Sequence, residues 1–323
     1  MKRATVLAAA LAVGFAGLVA QPAVAANVKI TPLGSHDGEF CFWDRALILE
    51  DPDGTRILYD AGRTVRGADD PRLGKIDGVL LSHVHGDHLG DKHQSSANAG
   101  TCAKPSFSVK AVPNSNSVNI VMAKKAKFLV GGEMNRFFRH KIKSLGGNPK
   151  LVVTVRFGAM KKVGSVKVSG VPAVHANGLS PAFLDTEHAK ALKASGLTAY
   201  VGPPGGYVLQ FTNGLVVYLS GDTGITAEQD IVVRRIYKAN LAVMNIGGTF
   251  TTGPTEAAHV INDLVKPNSV IASHAIEEAT KGGQLVPGTR TAIFKKATKV
   301  PVHLPLSGKT MEFNGKGKCV SGC

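Results

Sequence analysis

The stretch LLSHVHGDHLG, residues 80–90, constrains this chain more than any other: His83, His85, Asp87 and His88 fall within six positions, directly after an apolar run. Alternate residues of an extended segment point to the same side, so His83 and His85 can share one metal ion. Gly86 permits a sharp turn, which lets Asp87 and His88 face a second ion. Without a ligand, three clustered imidazoles at a strand end would cost stability. Imidazole with carboxylate suits zinc, although iron or manganese would accept the same set.

The chain has 323 residues, 44% of them hydrophobic, enough for one large domain or two modest ones with a real core. Residues 1–25 read as a signal peptide. Lys2 and Arg3 precede an uncharged apolar run, Ala4 to Ala20, and Ala23-Val24-Ala25 supplies a small-x-small cleavage pattern. That run is shorter than the roughly 20 residues a membrane span needs, and no later segment is long or apolar enough. The expected mature protein is therefore residues 26–323, one domain, periplasmic or secreted, with no transmembrane segment after cleavage.

Export makes Cys41, Cys102, Cys319 and Cys323 candidates for two disulfides, with three pairings open. Proximity favours Cys319 with Cys323, leaving Cys41 with Cys102. The rival reading of the tail, a Cys-x-x-x-Cys metal pair, lacks further ligands nearby in sequence. The formal charge of +15 attracts anions. Its lysines are spread, without the interleaved aromatics of a nucleic-acid-binding signature, which fits a solvated basic surface and leaves an anionic, phosphate-bearing substrate open.

"ALILED" and "TRILYDAG", joined by Pro52-Asp53-Gly54, read as a hairpin, and "IDGVLLSH" as a buried strand. Residues 91–119 lack a helical period and read as a long loop over the site. Residues 133–145 carry a helical apolar stripe closed by Gly146-Gly147. Strands resume at "LVVTVRF", "GSVKVSGVPAVH", "GYVLQF" and "LVVYLSGD"; a helix follows Gly224 and another opens at Pro254. This order suits one two-sheet domain covered by helices, with the strand order open. His175, Asp222 and His274 each end an apolar strand, where a sheet presents functional groups, and so complete a ligand set.

These residues resemble the metallo-β-lactamase superfamily. His83-x-His85-x-Asp87-His88 matches its main metal motif, and His175, Asp222 and His274 match the later motifs in order over about residues 28–310. The "LGSH" near the start and "MNIGGTFTTGPTEAAHVINDLVKPNSVIASH" near the end are similar to the branch of ascorbate-phosphate lactonase and N-acyl phosphatidylethanolamine phospholipase D. The segment 91–119 with Cys102 departs from that branch. The resemblance implies an α/β (α+β) fold, a four-layer αβ/βα sandwich of two mixed β-sheets flanked by helices. It implies that His83, His85 and His175 hold one metal, that Asp87, His88 and His274 hold the other, that Asp222 bridges them and that Asp60 lies beside the metal-binding loop.

Two such cations would ionise a shared water, and the hydroxide would attack a carbonyl or phosphorus centre, with Asp87 steering the nucleophile and shuttling its proton and Asp222 bridging. The expected activity is hydrolysis of an ester, lactone or phosphodiester bond in a small-molecule or lipid substrate. A β-lactamase-type amide hydrolase and a non-catalytic metal-binding envelope protein are the alternatives. His36, in the "LGSH" turn, and His93, near the metal loop, are weaker candidates for substrate contact. His140, His188, His259 and His303 have no supporting context, and Thr249 and Thr251 approach the site by resemblance only.

Overall fold

A computed structural model describes Met1 and residues 26–184 and 186–323. The expected signal segment lies outside these residues, apart from Met1. Among the described residues, one sheet has eight strands, ordered in space Cys319–Ser321, Met311–Phe313, Val28–Pro32, Leu47–Glu50, Arg56–Tyr59, Gly78–Leu80, Lys127–Val130 and Val152–Thr154. The other has seven: Val302–His303, Ser269–Ser273, Leu241–Asn245, Val216–Leu219, Gly205–Gln210, Val166–Pro172 and Met160–Val163. Both sheets mix parallel and antiparallel pairs.

Side-chain alternation explains why the strands read as nearly unbroken apolar runs. Leu47, Leu49, Ile57 and Tyr59 point inward and meet Val166, Val168, Leu209, Val217 and Leu219 between the sheets. Ile48 and Leu58 point outward and pack with Phe128, Phe138 and Ile142. On the opposite side Val208, Tyr218 and Met244 pack with Ile261 and Phe294. The central strands of each sheet are thus buried on both faces, helix against sheet against sheet against helix, which is the expected αβ/βα sandwich. Among the described residues no helix is long and apolar enough to cross a membrane.

The hairpin forms as the Pro52-Asp53-Gly54 turn requires, with Gly54 at φ 85° and Leu49 opposite Ile57. The stripe at 133–145 forms the helix Gly132–Ser144. Residues 91–119 are less irregular than their composition suggests. Lys92–His93 pairs with Val109–Lys110, and the helix Asn116–Lys124 starts inside the expected loop, with Ser115 Oγ accepting from Val118 N. The β-branched Val118, Ile120 and Val121 mask that helix in the sequence, and their burial against the outer face of the first sheet decides it.

Cys41 is bonded to Cys102 and Cys319 to Cys323, with Cα separations of 4.8 and 6.4 Å. The fold brings His303 beside the tail pair, a neighbour the sequence did not reveal. Because the two sulfurs are bonded to each other, they offer no thiolate to a metal.

Candidate metal centre

Parallel strands end together, so the carboxyl ends of Gly78–Leu80, Val166–Pro172, Val216–Leu219 and Ser269–Ser273 deliver four loops to one edge of the sandwich. The first carries His83, His85, Asp87 and His88; the others carry His175, Asp222 and His274. Strands end one to three residues before His83, His175, Asp222 and His274, and His85, Asp87 and His88 follow His83 in the same loop, so the groups stand on short, braced extensions. Val84 N donates to Asn177 Oδ1 at 2.9 Å, and Asn177 Nδ2 donates to Gly202 O at 2.8 Å. Tyr207 Oη donates to Leu81 O at 2.7 Å, and Gly221 N donates to Tyr59 Oη at 3.0 Å, so tyrosines tie each sheet to the other's loop. Gly62 (φ 54°) has no room for a side chain, since a Cβ would stand 2.3 Å from Asp87 O.

Seven side chains converge there. Ligand atoms of His83, His85 and His175 lie within 4.8 Å of one another, as do those of Asp87, His88 and His274, and those of His83, His88 and Asp222. Asp222 stands between the groups: Oδ2 is 3.3 Å from His274 Nε2, 3.7 Å from His175 Nε2 and 3.9 Å from His83 Nε2, while Oδ1 is 3.2 Å from His88 Nε2. His83 Nε2, His88 Nε2, Asp222 Oδ1 and both ring nitrogens of His274 are buried without a hydrogen-bond partner. Such orphaned atoms are costly unless a ligand satisfies them, and imidazole nitrogens with carboxylate oxygens form a donor set suited to a divalent cation.

Asp60 sits beneath the cluster, fully buried. It accepts from Ser82 N at 2.8 Å, from Ser82 Oγ at 2.7 Å and from His88 Nδ1 at 2.7 Å. The Nδ1 proton of His88 is thereby fixed on Asp60, so that the ring, once its Nε2 proton is given up to a metal, turns that lone pair toward the cluster. Ser82 Oγ, having donated to Asp60, accepts from His83 Nδ1 at 3.0 Å, which frees His83 Nε2 in the same way.

The electrostatics follow from burial and neighbours. Burial, reinforced by adjacent imidazoles, pushes His83 and His85 below the usual histidine range, and burial lowers His175. Burial also acts downward on His88, but Asp222 and Asp60 outweigh it and raise that group to about 9 in the metal-free cluster. Burial pushes Asp87 upward, yet the Arg45 guanidinium and His88 hold its carboxyl well below the usual range. Asp222 is likewise held low by His274 and His88 against burial. The Arg45 side chain is 2% exposed and ion-paired to Asp87. Sequence reasoning missed Arg45; its signal, an arginine between a buried aspartate and an apolar strand in "WDRALIL", carries no period.

The cluster opens into a cleft of about 370 Å3, walled by Phe42, Trp43, Phe250 and Ile276, with Arg63 at its side. None of these was legible beforehand. His36 instead turns toward Ser35 Oγ at 3.1 Å and Gly100 O at 3.4 Å, and His93 toward Gln94 O at 2.8 Å; neither lines the cleft. His259 is exposed beside Asp263. A second cleft of about 260 Å3, between Glu133, Arg156, Phe157 and Tyr200, shares only Ser82 with the loop and is reached by none of the clustered histidines or aspartates. The chemistry therefore belongs to the first.

Residues 55–275 match the family described as a beta-lactamase superfamily domain. A UPF0173 metal-dependent hydrolase of Cupriavidus taiwanensis is 32% identical over 247 residues, covering 75% of this chain and 73% of that protein. Another, from Cupriavidus necator, is 28% identical over 281 residues, 83% of each chain. Among solved structures, Igni18, a metallo hydrolase from the hyperthermophilic archaeon Ignicoccus hospitalis, matches with a TM-score of 0.59 at 21% identity, covering 89% of this chain and 99% of that one. That likeness speaks to the fold alone.

Proposed function

This chain belongs to the beta-lactamase superfamily and is a metal-dependent hydrolase, and from that premise we propose that it holds two divalent ions, zinc by its donor set, and hydrolyses an ester, lactone or phosphodiester bond of a small molecule. In this reading His83, His85 and His175 hold one ion, Asp87, His88 and His274 the other, and Asp222 lies between them. The buried, unpartnered His83 Nε2, His88 Nε2, Asp222 Oδ1 and His274 Nε2, on residues whose ligand atoms cluster within 4.8 Å in overlapping groups, carry the reading. Bound there, the ions would supply Lewis acidity and a water ionised near neutral pH.

The chain's own groups do the rest. Asp60 fixes the proton of His88 directly and that of His83 through Ser82, so both rings present a lone pair. Arg45 keeps Asp87 ionised and oriented. A carboxylate held so far below its usual range is a weak base, so Asp87 orients an attacking water better than it deprotonates one. The apolar cleft walls limit competing water. We also propose export into an oxidising compartment after cleavage before Ala26; the pattern of residues 1–25 and the two disulfides support it.

Elemental analysis of the purified mature protein, whose mass also reports the cleavage point, tests the metal content. A panel of lactone, aryl ester, bis-aryl phosphate and cephalosporin substrates with zinc or manganese added tests the bond. His85→Ala is expected to lower metal content and turnover together. Turnover that survives after the metal is gone refutes the assignment.

A further inference from the structure

We infer that the group carried beside the scissile bond is uncharged and apolar, an alkyl or aryl arm seated against Phe42 and Trp43 and covered by Phe250 and Ile276. The inference rests on the hydrolase reading for the word scissile but not for the binding itself. Four large apolar side chains wall a cleft that opens directly onto His85, Asp87, His175, Asp222 and His274. Its volume, about 370 Å3, lies in the range of small-molecule sites.

Charge separates this occupant from an anionic one. The chain as a whole is strongly basic, but the cleft is not. Among the described residues lining it, the lysine- or arginine-type cation is Arg63, and its guanidinium is already held by both oxygens of Asp91, at 2.7 and 2.9 Å, while lying 4.8 Å from the Trp43 ring centre. Arg45, beneath the floor, is taken by Asp87. An anionic arm reaching past the metal cluster would lose its hydration and find no free cation, whereas an apolar arm gains by leaving water.

The walls are built for the task. Phe42 and Trp43 follow Cys41, which is bonded to Cys102, and Phe42 N donates to Cys102 O at 3.2 Å. Behind them the buried Asp44 carboxylate accepts from Cys41 N at 2.9 Å and from Ser35 N at 2.8 Å. On the other side Ile276 sits at φ 54°, a conformation that a β-branched residue adopts only when held; Arg290 Nη1 donates to its carbonyl at 2.9 Å. Phe250 is 69% exposed at the lip, on a loop tied down by Asn245 Nδ2 to Thr252 Oγ1 at 2.8 Å.

Trp43 is the one tryptophan of the chain, so its emission reports occupancy without turnover. The probes are methyl ketones from 2-butanone to 2-octanone, which have a carbonyl but no bond to hydrolyse, and 7-oxooctanoate, which adds a distal carboxylate at the same length. The metal-loaded protein is expected to bind each longer ketone about fourfold more tightly per methylene until the cleft fills. The keto acid is expected to bind weaker than 2-octanone by at least about tenfold. Phe250→Ala, at an exposed position that does not endanger folding, should flatten the chain-length dependence of the ketones and of kcat/KM for an acetyl-to-octanoyl ester series. A flat dependence in the wild type, a silent Trp43, or a keto acid that binds as tightly as the ketone overturns the inference. Graded ketone binding with no hydrolysis of any ester or phosphate would leave the inference standing and remove the hydrolase reading instead.

Discussion

Replacing Asp60 with asparagine tests how the imidazoles are held, because the two side chains have the same shape and differ in what they can accept. Asp60 Oδ1 takes Ser82 N; Oδ2 takes both Ser82 Oγ and His88 Nδ1. Asparagine offers one oxygen. With that oxygen in the Oδ1 position, the amide N–H2 faces His88 Nδ1 and Ser82 Oγ. His88 must then move its proton to Nε2, and Ser82, now accepting, turns its own proton to His83 Nδ1. Both rings lose the lone pair that faces the cluster. With the oxygen in the Oδ2 position, the amide meets the Ser82 backbone N–H, donor against donor, and a buried donor is left unpaired at a cost of about 1–3 kcal/mol. The first arrangement appears as metal affinity weakened by about 10- to 100-fold, or about 1.4–2.7 kcal/mol. Affinity is read by competition with a chromophoric chelator at fixed pH, stability by urea unfolding of the metal-free protein. An Asp60→Asn variant with both quantities unchanged refutes the reasoning.

Metal loading at pH 7.5 should release about two protons per chain, one from His88, the ring raised to about 9, and one from the water ionised by the ions, whereas His83, His85 and His175, pushed down by burial, are already neutral and release none. Titration in weakly buffered solution with a pH indicator measures this, and no release contradicts it; by the same sign, metal affinity falls as pH drops below about 9. Away from the site, the Asp70 side chain is buried and held by Arg72 at 2.7 Å and Arg66 at 3.4 Å. Burial pushes its carboxyl up, but hydrogen bonds and charge from Arg72 and the Arg66 backbone N–H carry it far below the usual range. A depressed folded-state value means stability that is present above the unfolded value of about 3.9 and is lost as pH falls below it. Asp70→Asn is expected to cost about 2–3 kcal/mol at pH 7, a partly exposed version of a broken buried pair, and to reduce the acid dependence in that window. Urea unfolding at pH 7 and pH 3 checks both, and a loss under about 1 kcal/mol at pH 7 contradicts the first.

The site was readable where its logic is local. His83 to His88 stand in one loop, and His175, Asp222 and His274 each follow an apolar run. Because strands running the same way end at the same edge, residue type and strand end together find all three. The cleft was not readable by that route. Phe42, Trp43, Phe250 and Ile276 come from three loops, none with a period, and Arg45 meets Asp87 across 42 positions of sequence. The helix Asn116–Lys124 was hidden because its β-branched residues fit either state until burial chose. His36 and His93 drew notice from their neighbours in the chain, yet backbone carbonyls face them.

The sequence by itself determined which imidazole and carboxylate residues follow the strand ends and that two helix-covered sheets carry them, since residue type and side-chain alternation are written in short stretches. Tertiary structure alone decided what surrounds those atoms: the Asp60 and Ser82 relay, the neutralised arginines and the aromatic wall. Such pairings join residues distant along the chain, and only the packing of one sheet and its loops against the other fixes them.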